Sequence, residues 1–242
     1  MDFENNDGKN IIMNELLQFD QHATMALNGS NMLFWDNLMM TVTSTLSWSL
    51  LILTIIYVLF HNNAVREAFI ILLMMVLMIF VADRLCSGLI KPLVGRWRPT
   101  QDPHIMYMMD VVDNYRGGKF GFFSGHACNT FCMATFLALL FRHRFLIVVL
   151  YFWSVTTTFT RLYLGVHYLG DVLVGLTIGM IIGLLFYTIS KKILKRYKVR
   201  ERLSSYEYTS SGYKLYDIHM LLAMIFVNYL LIIIVAVCRG IV

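Results

Sequence analysis

The stretch TRLYLGVHYLGD, residues 160–171, joins two long apolar segments in the second half of the chain. It places a guanidinium at Arg161, an imidazole at His167 and a carboxylate at Asp171 on the boundary between them. Each flanking segment approaches the run of about 20 apolar residues that crosses the hydrocarbon core of a bilayer. The stretch therefore predicts two membrane-spanning helices whose connection carries chemically active side chains.

The composition of the whole chain agrees with a membrane protein. Of its 242 residues, 58% are hydrophobic and 14% are charged, and the mean hydropathy is +0.64, whereas roughly a quarter of the residues of a soluble domain are charged. We expect an all-α, polytopic membrane helical bundle with about six transmembrane helices and additional N-terminal interfacial helices. The spans are predicted at about 44–60, 67–89, 125–141, 145–162, 170–190 and 218–238.

The N-terminal part of the chain has a different pattern. Residues 11–40 mix apolar side chains with acidic residues such as Asp20, which is typical of amphipathic helices that lie in the membrane interface. We therefore divide the chain into an N-terminal interfacial region, 1–43, and a transmembrane domain, 44–242. A longer first helix that begins near Met32 is the alternative.

The net charge of +5 is concentrated after the fifth predicted span. A basic cluster in that position marks a cytoplasmic loop under the positive-inside rule, so nucleic acid is not expected as a partner. Alternation of the spans then puts loops 90–124 and 163–169, with both termini, on the other side, which in a bacterial inner membrane is the periplasm. The cluster comprises Lys191, Lys192, Lys195, Arg196, Lys198, Arg200 and Arg202.

The four cysteines form no CxxC pair. Cys128 and Cys132 are one helical turn apart within an apolar segment, where a thiol behaves as a small buried hydrophobe. We therefore expect neither a disulfide framework nor a zinc site.

Three cations near span ends are candidates for binding a phosphate group. Lys91 and Arg98 are seven residues apart, which puts them on one side if the segment is helical, although Pro92 favours a kink or a new helix start. Arg161 closes a later span. Each cation alone would more readily be a residue that snorkels at a helix end. Together they offer the point charge of a lysine ammonium and the planar guanidinium groups of two arginines. A guanidinium can donate two parallel hydrogen bonds to the oxygens of a phosphoryl group.

A second polar motif, Ser124-Gly125-His126, precedes an apolar helix. The N-terminus of a helix attracts anions through its free N–H groups. Ser124 can cap the helix, Gly125 permits close backbone approach, and His126 is placed to act as a general acid. Standing alone, the motif would be a capping serine beside an incidental histidine.

His167 and Asp171 complete the candidate chemistry. A neutral imidazole can attack phosphorus and form a phosphohistidine that water then cleaves. A carboxylate one helical turn away can bind the other ring nitrogen, which fixes the tautomer and stabilises the imidazolium.

The motifs Lys91-x6-Arg98-Pro99, Ser124-Gly125-His126 and Arg161-x5-His167-x3-Asp171 resemble the three-part signature of the type 2 phosphatidic acid phosphatase (PAP2) family, which shares its site with vanadium haloperoxidases. The resemblance implies a six-helix membrane bundle and a site without metal or cofactor. It implies that phosphate is bound by Lys91, Arg98, Ser124, Gly125 and Arg161. It further implies His167 as nucleophile, His126 as acid and Asp171 as the partner of His167. The chain departs from the usual pattern at Phe123, in place of Pro, and at Thr160, in place of Ser.

These observations predict an integral-membrane lipid phosphatase that removes a phosphate or diphosphate from a membrane lipid through a phosphohistidine. For an outward-facing site the resemblance favours undecaprenyl diphosphate, with a lipid A phosphatase or a phosphatidylglycerophosphate phosphatase as alternatives. A lipid-phosphate binding or transport protein is the non-enzyme alternative, but binding alone would need only the cations. Vanadate-dependent peroxidase chemistry is disfavoured by the many spans. The expected partners are the lipid substrate and the bilayer, and the oligomeric state is left unknown.

Asp83 and Arg84 are charged residues within the second predicted span, where each costs about 2.5–3.5 kcal/mol. Such residues usually face the interior of the bundle and pair. Because Arg84 is seven residues before Lys91, we expect a pair that supports the site, with a purely structural salt bridge as the equal alternative.

Overall fold

The computed structural model describes residues 3–30, 32–195 and 207–240, with side chains from residue 12 onward. Its helices are α1 (Phe3–Ala26), α2 (Leu33–Thr43), α3 (Ser49–Asn62), α4 (Val65–Asp83), α5 (Lys91–Val94), α6 (Gly125–Phe141), α7 (Arg144–Tyr163), α8 (Leu169–Lys195) and α9 (Leu215–Arg239). A π-helical segment, Arg84–Ile90, joins α4 to α5 without a break. The predicted all-α bundle is confirmed.

Five helical segments within the described residues are long and apolar enough to cross a membrane: Thr45–Asn62, Val65–Val94, Arg144–Tyr163, Leu169–Lys195 and Leu215–Arg239.

The remaining predicted span, 125–141, corresponds to α6 and is shorter. Its 17 residues extend about 25 Å at the rise of an α-helix, and most of its side chains are buried. It packs against α4, α7 and α8. It is therefore the inner helix of the bundle, which the other spans shield from lipid.

A stripe of glycines holds α8 against α6. Gly175, Gly179 and Gly183 recur every four residues on one face of α8. A Cβ atom at Gly175 would stand 2.6 Å from the carbonyl oxygen of Ser124, and one at Gly183 would stand 2.5 Å from that of Cys132. The two backbones thus approach as closely as in the small-residue interfaces of membrane helices. This contact fixes the start of α6 relative to the start of α8.

The cysteines fit this packing. Cys128 and Cys132 are buried on α6, as predicted, and all four cysteines lie in the described residues as free thiols.

The N-terminal helices pack onto the bundle. α1 contacts α8, and α2 contacts α7 and α9. The backbone leaves the helical region at Ser44, where φ is −70° and ψ is 125°, before a short turn leads into α3. The alternative of one long first helix from Met32 is therefore wrong, because α2 ends at Thr43.

The loops group at two ends of the bundle. At one end, His61 of α3 lies 2.9 Å from Asp217 of α9, and Ser211 donates a hydrogen bond of 2.8 Å to the carbonyl of Phe141. Loops 61–66 and 142–144 thus share one end, as predicted. The predicted basic loop begins at this end of α8, but its residues 196–202 lie outside the described part of the chain.

The prediction for Asp83 and Arg84 is wrong. Both side chains are exposed, because Ala82 and Cys86 take the buried face of this helix. Asp83 accepts a hydrogen bond of 3.3 Å from the Ser87 hydroxyl, and the Arg84 guanidinium lies 5.2 Å from the centre of the Phe80 ring. The wider turns of the π segment also break the seven-residue repeat that was expected to align Arg84 with Lys91.

Candidate active site

Lys91 and Arg98 reach the site by different routes. Lys91 follows the π segment, and its helix ends at Gly95, whose φ of 63° is left-handed. Arg98 then lies in extended backbone, with φ −80° and ψ 151°. The two residues are therefore not on one helix, and a short new helix begins at Lys91 and Pro92, the break that Pro92 favoured. Arg98 is buried, and its Nη1 donates to the carbonyl of Val166 at 3.1 Å and lies 3.5 Å from Nε2 of His167.

His167 and Asp171 are both buried, with 1% and 0% of their surface exposed. Nδ1 of His167 lies 3.5 Å from Oδ2 of Asp171, which is longer than a hydrogen bond. The same Oδ2 accepts a bond of 3.1 Å from the backbone N–H of Tyr168. The carboxylate is thus beside the imidazole, and catalytic hydrogen bonds of this kind often tighten only when substrate binds.

The environment of His167 keeps its imidazole neutral. Burial lowers the pKa of His167 well below its usual value, and the charges of Arg98, Arg161 and Lys91 lower that pKa further. A neutral ring has the free electron pair that an attack on phosphorus requires.

Ser124 caps α6, as predicted. Its Oγ accepts a hydrogen bond of 3.4 Å from the N–H of Ala127, and its own N–H donates at 3.0 Å to the carbonyl of Asp171. A Cβ atom at Gly125 would stand 3.4 Å from Sγ of Cys86 and 4.0 Å from Nζ of Lys91. The Lys91 ammonium therefore lies beside the start of α6.

His126 faces the same cluster from the first turn of α6. The charges of Arg161, Lys91 and Arg98 and the ring of His167 are near enough to act on its imidazole. The structure thus brings together the candidate residues of all three sequence motifs.

Arg161 is held from two sides. Its Nη1 donates to the Thr43 hydroxyl at 2.6 Å and its Nη2 to the Tyr115 hydroxyl at 3.0 Å. Among the described residues, the buried Nε atoms of Arg161 and Arg98 have no hydrogen-bond partner. Burial and the neighbouring charge of Arg161 lower the pKa of Arg98. Two buried like charges with unused donors favour the binding of an anion.

Arg96 is a further residue of the site, and it lies outside the three sequence motifs. Its Nη1 donates at 2.7 Å to Oδ1 of Asp171, and its Nη2 donates at 2.6 Å to Oδ2 of Asp20 in α1. Burial alone would lower the pKa of Arg96, but the two carboxylates raise it overall. Its guanidinium also lies 4.0 Å from the centre of the Tyr168 ring. Arg96 is therefore engaged in holding Asp171 rather than in binding phosphate.

Two loop glycines leave room for the side chains of Arg98 and Asp171, and neither glycine belongs to the three sequence motifs. A Cβ atom at Gly117, where φ is +66°, would stand 2.7 Å from Nη1 of Arg98. A Cβ atom at Gly121 would stand 3.0 Å from Oδ2 of Asp171. The only sequence signal was their place in a loop of unusual length.

An apolar cavity of about 490 Å³ extends from His126 into the bundle. It is lined by side chains of α3, α4, α6 and α7, among them Ile55, Met75, Met133 and Leu150. Its volume is within the range of small-molecule pockets, about 300–1,000 Å³. In the described residues, no group of three or more His, Cys, Asp or Glu side chains is arranged to hold a metal ion.

Comparisons with known proteins agree with this geometry. The sequence model of the PAP2 superfamily matches residues 67–195. The lipid A 4'-phosphatase of Bacteroides thetaiotaomicron is 38% identical over 182 residues, which are 75% of this chain and 81% of that protein. The lipid A 4'-phosphatase of Porphyromonas gingivalis is 30% identical, over 73% of this chain and 75% of that protein.

Two further similarities are more distant. Phosphatidylglycerophosphatase B of Bacillus subtilis is 28% identical over 52% of this chain and 61% of that protein. The crystal structure of a transmembrane PAP2 type phosphatidylglycerolphosphate phosphatase from Bacillus subtilis superposes with a TM-score of 0.57 at 22% identity, covering 78% of this chain and 90% of that one. This second likeness establishes the fold of a transmembrane bundle.

Proposed function

The chain belongs to the PAP2 superfamily and is an integral-membrane lipid phosphatase, and from that premise we propose that it removes a phosphate monoester from an acylated amino-sugar lipid of the lipid A type through a phosphohistidine at His167. Two similar proteins are lipid A 4'-phosphatases. Nothing in these comparisons favours undecaprenyl diphosphate, the substrate first expected. Phosphatidylglycerol phosphate is the second candidate because of the more distant relative.

The observation that carries this mechanism is the position of the two ring nitrogens of His167. Nδ1 lies toward Asp171, and Nε2 lies 3.5 Å from the Arg98 guanidinium. Nε2 is therefore the nitrogen that faces a phosphoryl group bound by Arg98.

In the first step, Nε2 of His167 attacks phosphorus while the bond between phosphorus and the sugar oxygen breaks. The leaving oxygen takes a proton from His126. The imidazolium that forms at His167 is stabilised by the carboxylate of Asp171. The cations Lys91 and Arg161, with Arg98, hold the charge that develops on the phosphoryl oxygens.

In the second step, water attacks the phosphohistidine. His126 accepts a proton from the water as the phosphorus–nitrogen bond breaks, which releases inorganic phosphate and restores neutral His167. The second step thus returns to His126 the proton that the first step used.

We also propose that the site faces the periplasm of a bacterial inner membrane. The site lies at the end of the bundle where α8 begins, and α8 ends in Lys191, Lys192 and Lys195. Cations at the end of a span favour a cytoplasmic location for that end, so the opposite end, which carries the site, would face the periplasm.

The test is phosphate release by the protein purified in detergent, with EDTA present, from lipid A, phosphatidylglycerol phosphate and undecaprenyl diphosphate. We expect the highest kcat/KM for lipid A, and no release by a His167→Ala variant. His104→Ala, which changes an exposed histidine in the 95–124 loop, is the matched control and should keep full activity. Release at the normal rate by His167→Ala would refute the mechanism, and a clear preference for undecaprenyl diphosphate would refute the substrate.

A further inference from the structure

The last turns of α1 cap the start of α8. Tyr168, the residue before α8, is not one of the short polar residues that usually cap a helix. The hydroxyl of Thr24 instead accepts the N–H of Leu169 at 3.0 Å. Oδ1 of Asp20 accepts the N–H of Gly170 at 2.7 Å. Side chains of the N-terminal helix thus satisfy two of the backbone donors that the first turn of a helix leaves free.

Asp20 also reaches the active site. Its Oδ2 accepts a hydrogen bond of 2.6 Å from Nη2 of Arg96, whose Nη1 binds Asp171 at 2.7 Å. The side chains of Asp20 and Arg96 are only 15% and 23% exposed, so water competes little for this ion pair. The position of α1 therefore acts on the carboxylate beside His167 through one shared guanidinium.

The contact with α1 lies on the lipid-facing side of α8. Leu173 follows Leu169 by one helical turn and is 52% exposed, and Ile181 and Leu184 are exposed further along the same side. Such an exposed apolar row on a membrane-spanning helix faces lipid. α1 therefore crosses α8 at the first turn of its lipid-facing row.

Beyond this contact, α1 projects from the bundle. Residues 12–19 are all exposed. Met13 and Leu17 precede Asp20 at the spacing that puts residues on one helical face, so they lie in line with the side chains that contact α8.

The rest of the projecting part is amphipathic. The row beside Met13 and Leu17 is also apolar, and each of its side chains is more than half exposed: Ile12, Leu16 and Phe19. The opposite face is polar and carries Asn14, Glu15 and Gln18. The apolar face of α1 thus points the same way as the face that contacts α8, which is toward the lipid-covered side of the bundle.

We propose that the apolar face of α1 lies in the lipid surface beside the bundle, at the end that carries the site, and that this contact holds Asp20 against Arg96. Lipid is the favoured occupant because this face is continuous with the lipid-facing row of α8. A helix of this kind is buried by about 5–10 Å at the boundary of head groups and acyl chains. The inference goes beyond the proposed substrate, and its kinetic part rests on the proposed role of Asp171.

The first test measures contact with lipid. Leu16→Cys and Gln18→Cys, on opposite faces of α1, are each labelled with bimane in a Cys238→Ser background, since the other three cysteines are buried. The proteins are placed in nanodiscs of phosphatidylethanolamine and phosphatidylglycerol, with or without nitroxide groups on the acyl chains. We expect the nitroxide to quench the label at position 16 at least about twofold more strongly than the label at position 18.

The second test measures turnover in the same nanodiscs. A triple variant, Ile12→Gln with Leu16→Gln and Phe19→Gln, keeps the helix-forming tendency of α1 but removes its apolar row. We expect kcat to fall by about 10-fold or more, because Asp171 is less well placed, with KM nearly unchanged. The conservative triple variant, Ile12→Leu with Leu16→Met and Phe19→Leu, keeps the row apolar and should keep kcat.

Equal quenching of the two labels would overturn the inference. Protection of the label at position 16 only in discs that hold two copies of the chain would also overturn it, since the occupant would then be a second copy. A normal kcat in the glutamine variant would do the same. Because quenching needs no turnover, it is also measured in a His167→Ala background. Quenching as expected, with no phosphate release by the unchanged protein, would refute the proposed function and leave the contact of α1 with lipid supported.

Discussion

Arg96 and Asp171 are joined by a hydrogen bond of 2.7 Å from Nη1 to Oδ1. The second nitrogen of the same guanidinium binds Asp20, whose other oxygen accepts the N–H of Gly170 at 2.7 Å. The carboxylate beside the proposed nucleophile is therefore held through Arg96 by the N-terminal helix.

Substitution of Arg96 should lower turnover more than substrate binding. In Arg96→Lys a single ammonium replaces the planar guanidinium and cannot bind the carboxylates of Asp171 and Asp20 with the same geometry. We expect kcat to fall by up to about 100-fold, as for a misplaced catalytic group, with KM nearly unchanged. Steady-state kinetics measures both constants. Lys119→Gln, a change of an exposed cation in the same loop, should alter neither, and a rise in KM at constant kcat would show that Arg96 binds substrate instead.

The pH dependence of activity should follow His167. Its neutral form attacks, and its pKa lies below the usual 6.5. The acid limb of kcat/KM that belongs to this residue should therefore appear below pH 6.5. Arg98→Gln removes one of the charges that lower this pKa, so the limb should move toward neutral pH even though the rate falls. A limb that moves to lower pH in this variant would contradict the assignment.

The same group affects stability. The unfolded chain binds a proton at His167 more readily than the folded chain, because the folded pKa is lowered. Its contribution to the free energy of unfolding is therefore fully present above about pH 6.5 and is lost as the pH falls toward the folded pKa.

The glycine stripe predicts a folding defect. A Cβ atom at Gly179 would overlap the backbone of Cys128. Gly179→Ala should lower the free energy of unfolding by about 1–3 kcal/mol, as is typical of overpacking, and thermal unfolding in detergent followed by size-exclusion chromatography would show it. Gly118→Ala is the matched control, since nothing lies within 4 Å of its Cβ position. An unchanged Tm for Gly179→Ala would mean that α6 and α8 do not pack so closely.

The orientation of the site can be tested by labelling. Tyr107 is 85% exposed in the loop at the active-site end. In intact cells, Tyr107→Cys in a Cys238→Ser background should react with a membrane-impermeant maleimide. Ala64→Cys, at an exposed position in the loop at the opposite end, should react only after the cells are permeabilised. The reverse pattern would place the site in the cytoplasm.

The sequence predicted the spans and the chemical groups of the site because each depends on local pattern. Apolar length identified the spans, and the spacing of His167 and Asp171 survives as one turn at the start of α8. The packing of α8 on α6 was also recoverable, since glycines at 175, 179 and 183 repeat every four residues.

Other features depend on backbone geometry or distant contacts, which a single sequence does not reveal. The side of Arg98 relative to Lys91 is set by the π segment and by the left-handed turn at Gly95. The contact between Arg96 and Asp20 joins residues 76 positions apart. It was missed because α1 was expected to lie in the interface apart from the catalytic bundle.

The capping of α8 by Asp20 bears on how the protein is engineered. A shortened gene that begins at α2 would still encode every residue of the three phosphate motifs and would satisfy a motif search. It would nevertheless lack Asp20, which accepts a hydrogen bond from the N–H of Gly170 in the first turn of α8. Asp20 is also one of the two carboxylates that bind the Arg96 guanidinium. Expression designs that remove α1 would therefore yield a bundle in which His167 and its partner Asp171 are held less rigidly.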